Sequence, residues 1–313
     1  MTDDARSRAP QVFDRALIRR RLARALAEGG EDFLSARVAE DLRERLSVVR
    51  RDFRRVLDLG TPRPDVAAML AGTLPEAEIT RMARVPAAGT LPEAEITRMA
   101  PVPAAGDAGR RREVVGDEER QPFAPGSFDL VVSCLSLHAV NDLPGALVQV
   151  RRALKPDGLF LGCVFGGGTL GELRQALSIA ESEVAGGASP RVAPFSDLRD
   201  LGGLLQRAGF ALPVADVEPL TVRYGTLFRL FSDLRAMGAT NALTLRHKAP
   251  LRRAILMRAA EVYAARFADA DGRLRASFDV VWLSGWAPHE NQQKPLKPGS
   301  ARMSLEAALK RDR

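Results

Sequence analysis

The chain reads as an α/β fold built on parallel crossover units, and three observations predict this. The turn-forming Pro125-Gly126-Ser127 leads into an apolar run, Leu130 to Val132. A helix-patterned segment, Pro144 to Leu154, follows and is stopped by Lys155-Pro156-Asp157-Gly158. A second apolar run, Leu159 to Phe165, comes next. Strand, helix, sharp turn and strand form a parallel crossover, whose sheet must be covered by helices. In such sheets ligands bind beyond the carboxyl ends of the strands.

The remaining elements follow from spacing. Phe13, Leu17, Leu22 and Leu26 recur near helical period, as do Phe33, Val38, Leu42 and Leu46, with Gly29-Gly30 between the two sets. The first 50 residues are therefore expected to form a helical extension. Arg54 to Gly60 reads as a first strand running into a tight turn, and Asp65 as the cap of a short helix over 66–72. Residues 71–87 and 88–104 are a tandem repeat that differs only at Arg84 and Pro101. Two readings of the repeat stay open. Thr73 with Glu76 resembles a capping box, which favours helix. Ile79-Thr80-Arg81-Met82 suits a short strand. Copy one falls where a second strand belongs, and copy two falls in the following crossover, which Pro86, Pro101 and Pro103 make loop-like.

Glu113 to Val115 reads as a third strand, and the two apolar runs as the fourth and fifth. Helices are expected over 170–184, from Ser196-Asp197 to Ala208, over 226–237 and over 251–268. Gly209 is expected to cap the second of these. Strands are expected over 214–222 and 278–283. The body of the fold is expected to span 51–290, with the helices of 226–270 as an insertion. Residues 291–313 are expected to form a tail rich in Pro, Lys and Gln.

Composition narrows the function classes. The 313 residues are 46% hydrophobic and carry a net charge of +7, which suits a globular core. Only five of the 46 basic residues are Lys. The Arg runs at 19–21, 50–51 and 110–112 are interleaved elsewhere with acids. Aromatics amount to 5%, so no stacking platform accompanies the charge and nucleic-acid binding is not expected. Cys134 and Cys163 fall at predicted buried strands, and no Cys/His spacing suggests a metal site. No run is long enough to span a bilayer. These features point to a reducing cytoplasm, with any membrane contact made through a partner.

Candidate site residues cluster at strand ends. Asp58-Leu59-Gly60 has the acidic-x-Gly form of a cofactor turn, where Gly60 lets the backbone turn tightly and the next helix N-terminus favours an anion. Asp117 and Glu118 end the third strand, either as acceptors for a ligand amine or as solvated turn acids. Ser133 lies at the end of the fourth strand. His138, near the same crevice, is read either as a substrate-orienting base or as a packed histidine. Gly166-Gly167-Gly168-Thr169-Leu170-Gly171 matches G-x-G-x-x-G but follows the fifth strand, so it reads as a turn at a pocket rim. No nucleophile elbow is present.

Three motifs carry a family resemblance: VLDLG at 56–60, PFAPGSFDLVVSCLSLHAVNDLPGAL at 122–147 and LKPDGLF at 154–160. They resemble the class I S-adenosylmethionine-dependent methyltransferases of the methyltransferase type 11 kind. FDRALIRRRLARAL at 13–26, VFGGGTLGELRQAL at 164–177, GGASPRVAPFSDLRDLGGLLQRAGF at 186–210 and YGTLFRLFSDLRAMGATNAL at 224–243 resemble one branch. That branch holds the complex I assembly factors described as arginine hydroxylases, and their alphaproteobacterial relatives. The resemblance implies a Rossmann-like, seven-stranded, mostly parallel sheet with its last strand antiparallel and helices on both faces. It implies an S-adenosylmethionine pocket in which Asp58 and Gly60 line the methionine and ribose side. Asp117 and Glu118 then sit near the adenine, and Ser133 near the sulfonium.

The resemblance further implies action on a partner protein, such as a complex I subunit, by methyl transfer or arginine hydroxylation. Two alternatives stand beside it: a non-catalytic assembly chaperone with a degraded cofactor site, and a carboxyl methyltransferase acting on a small or carrier-bound acid. The departures from the pattern bear on this choice. The family turn Asp-Leu-Gly-Cys-Gly-Arg-Gly is here Asp58-Leu59-Gly60-Thr61-Pro62-Arg63-Pro64. Proline fixes φ and removes an amide donor. The acid expected at the end of the second strand is also missing, with Met82 or Met99 nearby. Each charged hydrogen bond lost weakens binding by roughly one to two powers of ten.

Overall fold

A computed structural model describes residues 10–29, 33–85 and 111–293. Copy two of the repeat, the proline-rich crossover and the chain after 293 lie outside the described residues. The N-terminal helices are α1 (Arg15–Ala27), whose first turn is capped by the Asp14 carboxylate accepting from the Leu17 amide, and α2 (Phe33–Ser47). The chain then enters β1 (Arg55–Leu59), α3 (Asp65–Thr73), β2 (Glu78–Ala83), β3 (Arg111–Val115) and β4 (Phe128–Cys134). It continues through α4 (Leu143–Ala153), β5 (Leu154–Phe165), α5 (Gly171–Ala185) and α6 (Leu198–Arg207). It ends with β6 (Ala211–Tyr224), α7 (Leu227–Ala236), α8 (Arg253–Phe267) and β7 (Leu274–Trp286).

The seven strands make one sheet in the order β3-β2-β1-β4-β5-β7-β6. β1 to β5 run parallel, and β7 pairs antiparallel with both β5 and β6. This is the class I methyltransferase architecture. Leu130, Val131 and Val132 are all fully buried, because helices cover both faces of the central strands. On one face α4 and α6 pack on Leu57, Val131 and Phe160. On the other, α2 and α3 pack on Val56, Ile79 and Leu130. Arg45 of α2 lies over the Trp282 ring at 4.6 Å and pairs with Asp216, which ties α2 to β6 and β7. A third cluster joins α5, α7 and α8 around Tyr263 and Phe278.

Local chemistry explains most boundaries. Asp142, Asp197 and Thr226 accept from the Gly145, Asp200 and Arg229 amides and open α4, α6 and α7. Gly209 follows α6 at φ +82°, the left-handed conformation of a helix stop. Cys134 and Cys163 are buried neighbours in register across β4 and β5.

Three local expectations are corrected. Asp65 does not cap α3: it is the first helical residue, and Pro64 holds the cap position without a side-chain bond. Thr73 does not open a helix either. It ends α3 and donates its hydroxyl to the Met69 carbonyl, so copy one forms β2. Pairing to β1 and β3 on both sides satisfies its backbone and buries Ile79 and Met82, and this tertiary term outweighs a capping box. Lastly, Lys155 to Gly158 is a kink inside β5, with Asp157 at φ +62°, and the strand already begins at Leu154.

Candidate cofactor cradle and apolar pocket

β1 delivers Asp58 and Gly60 to the carboxyl edge of the sheet. Gly60 turns at φ +71° and donates its amide to the Met82 carbonyl at 2.6 Å. Only a residue without Cβ fits here, because a Cβ would stand 2.2 Å from Glu118 Oε1 and 2.5 Å from Ser136 Oγ. The space above the turn is thus taken by the chain itself. The Thr61-Pro62 segment beyond is braced by Arg81, which donates to the Thr61 and Pro62 carbonyls at 3.1 and 3.4 Å and pairs with Glu113 at 2.6 Å.

Glu118 is fully buried between two guanidiniums. Arg84 Nε donates to its Oε1 at 2.5 Å, and Arg15 reaches Oε2 at 2.5 Å. Ser136 adds a hydroxyl donor at 2.6 Å and accepts from Arg84 in turn. Burial alone would push the Glu118 carboxyl up. The guanidiniums of Arg84 and Arg15 outweigh it and hold the carboxyl below its ordinary range. Asp117 is held low in the same way: burial opposes ionisation, and Arg15 at 2.7 Å favours it. Arg15 also donates to the Ala139 carbonyl, so α1 is fastened across the strand ends.

The remaining sequence candidates lie deeper. Asp58 is fully buried, and neither carboxylate oxygen has a hydrogen-bond partner among the described residues. Arg81 Nε is 3.9 Å away, and burial, partly offset by Arg81, pushes the Asp58 carboxyl up to about 6. Ser133 is also fully buried and donates its hydroxyl to the Leu59 carbonyl at 2.8 Å, which couples β4 to β1. Gly60, Glu118 and Ser136 therefore meet at one point, Asp117 is held by α1, and Asp58 and Ser133 are sealed within the strand ends.

Beside the cradle lies a cavity of about 440 Å³, with walls from the strand ends, α1, α5 and α7. Its lining includes Pro62, Arg84 and His138. The His138 ring packs on Phe165 at 4.6 Å and Phe195 at 5.6 Å. Burial and the nearby Arg84 push its imidazole down to about 3, so it is neutral across the physiological range. Thr169 and Leu170 of the Gly-rich turn also line the cavity.

Sequence reasoning missed Arg15, Arg81, Arg84 and Ser136. Arg15 stands within the helix-patterned segment of Phe13 and Leu17, where nothing local marks a contact with the end of the third strand. Arg84 carried a signal: it is the one position at which the two repeat copies differ.

A family profile described as a methyltransferase domain matches residues 95–162. The mouse protein named arginine-hydroxylase NDUFAF5, mitochondrial is 38% identical over 305 residues, covering 95% of this chain and 84% of that protein. Its human counterpart is 39% identical over the same length. A malonyl-[acyl-carrier protein] O-methyltransferase of Laribacter hongkongensis is 33% identical over 298 residues, 95% of this chain and 94% of that one. The solved YcgJ protein of Bacillus subtilis superposes with a TM-score of 0.51 at 15% identity, covering 81% of this chain and 99% of that chain, which shows shared fold alone. The chain belongs to the class I methyltransferase family, with NDUFAF5 arginine-hydroxylases and a malonyl-[acyl-carrier protein] O-methyltransferase among its relatives.

Proposed function

We propose that this chain serves respiratory complex I assembly by holding a partner protein, without adenosylmethionine chemistry of its own. One observation carries the reading: Glu118, which the resemblance places near the adenine, is buried between Arg84 and Arg15 and packs against Gly60. The residues present do not fit adenosylmethionine. Pro62 and Pro64 remove backbone amides from the first turn. At the end of β2, where the family pattern places an acid for the ribose hydroxyls, stands the cationic Arg84. Glu118, the acid assigned to the adenine side, is consumed by two guanidiniums. Gly60 keeps the family's glycine and turns at positive φ, but the room it leaves is taken by Glu118.

The partner belongs to the reading through relatives that are 38–39% identical over 95% of the chain. Respiratory complex I is the resemblance's contribution. Among the described residues no helix is long and apolar enough to cross a membrane, so contact with a membrane complex would run through a protein surface.

Calorimetric titration of the purified chain with S-adenosylmethionine at millimolar ligand tests the cofactor half. No saturable heat is expected. Micromolar binding would overturn the reading and favour methyl transfer to a protein or a carrier-bound acid. The assembly half is tested in a deletion strain by measuring assembled complex I. The wild-type chain and a Pro62→Ala, Pro64→Ala variant are both expected to restore it. Failure of the wild-type chain rejects the assembly role, whatever the titration shows.

A further inference from the structure

The tandem repeat places two copies of one strand sequence in the same chain. Copy one supplies β2, and Ala77, Ile79, Met82, Ala83 and Val85 are the apolar side chains it buries. Arg81 of the same strand braces the Thr61-Pro62 segment and pairs with Glu113. Copy two, outside the described residues, repeats every one of these 17 positions later: Ala94, Ile96, Arg98, Met99, Ala100 and Val102.

The slot that β2 fills therefore has no apolar contact that separates the copies, and Arg81 does not separate them either. Pairing to β1 and β3 is made by the backbone, which both copies carry. One side chain does distinguish them. Arg84 donates to the buried Glu118 carboxylate and to the carbonyl and hydroxyl of Ser136. Copy two has Pro101 at that place, with no side-chain donor. Chain length favours copy one as well. The link from the strand to β3 is 27 residues (84–110) with copy one in the sheet, and ten (101–110) with copy two, the short end for a parallel crossover. The longer link that would then follow α3 costs little, because closure entropy grows only as the logarithm of length.

We propose that copy two is a spare β2 that exchanges with copy one in the sheet, and that the Arg84–Glu118 pair holds copy one as the dominant occupant. A charge-assisted bond is worth roughly one to two powers of ten, so copy two holds the slot in on the order of one molecule in a hundred. A slip of one residue would turn every side chain to the wrong face, whereas the 17-residue exchange replaces each buried residue by its own kind. The exchange brings Pro101 to the place of Arg84 and leaves Glu118 with Arg15 and Ser136, so it changes the charge beside Gly60. The proposal is independent of the cofactor reading, since it concerns which copy builds the sheet.

Equilibrium urea unfolding of full-length variants tests the exchange. Ile79→Asp puts a carboxylate into the cluster that holds Val56 and Leu130. In a chain with no substitute strand it would raise the unfolding constant more than about a thousandfold. With copy two able to enter, the rise is expected to stop at about a hundredfold. Ile96→Asp alone is expected to change nothing. Added to Ile79→Asp, the same Ile96→Asp is expected to cost at least a further tenfold or to prevent folding, a non-additivity that only a shared slot produces. Pro101→Arg is expected to act within about twofold in the wild-type chain and to return about tenfold to Ile79→Asp, because a guanidinium again meets Glu118. An Ile79→Asp chain that does not fold, or a double variant no less stable than Ile79→Asp, overturns the proposal. So does a Pro101→Arg substitution with no effect in the Ile79→Asp background.

Discussion

Replacing Glu118 by Ala is expected to destabilise the fold by about 3–5 kcal/mol, measured as the shift in urea unfolding at pH 7.5. The substitution strips the principal partner from Arg84, which is almost fully buried, and leaves its charge without a carboxylate. Arg15 keeps Asp117 at 2.7 Å and suffers less. The loss reflects an uncompensated charge rather than the net worth of the pair. A double variant, Arg84→Met with Glu118→Leu, is therefore expected to recover most of it, because apolar replacement of a buried pair is often neutral or stabilising. A loss under about 1 kcal/mol for Glu118→Ala would mean that water reaches the network. The pH dependence has a definite sign. Glu118 is depressed in the folded state, so its contribution is complete above the unfolded value of about 4.3 and fades as pH falls through the folded value.

Asp58→Asn should do the opposite and stabilise the protein at neutral pH. The Asp58 carboxyl stands at about 6 in the fold, above the unfolded value of about 3.9. The folded state holds its proton longer, so stability falls as pH rises from about 4 to about 6 and is flat above. Two pK units correspond to roughly 3 kcal/mol at full ionisation. Asn keeps the shape and removes the buried charge, while Arg81 retains Glu113 and the Thr61 and Pro62 carbonyls. A gain of about 1–3 kcal/mol is expected at pH 7.5, shrinking toward zero at pH 4. Equal destabilisation at both pH values would show that the carboxylate holds a partner in solution.

These two acids mark how far the candidate site was legible. Asp58, Gly60, Asp117 and Glu118 were visible because strand ends and tight turns have local signatures, and all four lie at the carboxyl edge of the sheet. Their neighbours were not visible. The partner of Glu118 at Arg84 is 34 positions distant and that at Arg15 is 103, and nothing in their spacing announces the contact. His138 was read as either a base or a packed residue. The fold places it in a cavity wall between two aromatic rings.

By itself the sequence determined the order and type of nearly all the described elements, from β1 through the long antiparallel β7. Apolar period, capping side chains and turn residues act over a few positions, and those positions are adjacent in the chain. Copy one of the repeat was the exception, because its capping box and its strand pattern conflicted, and only pairing to β1 and β3 resolved it in favour of β2. Tertiary structure alone decided that Glu118 packs against Gly60 with two arginines bound to its carboxylate. Burial makes that arrangement: a guanidinium drawn from water seeks the nearest carboxylate in space, at whatever distance along the chain it lies.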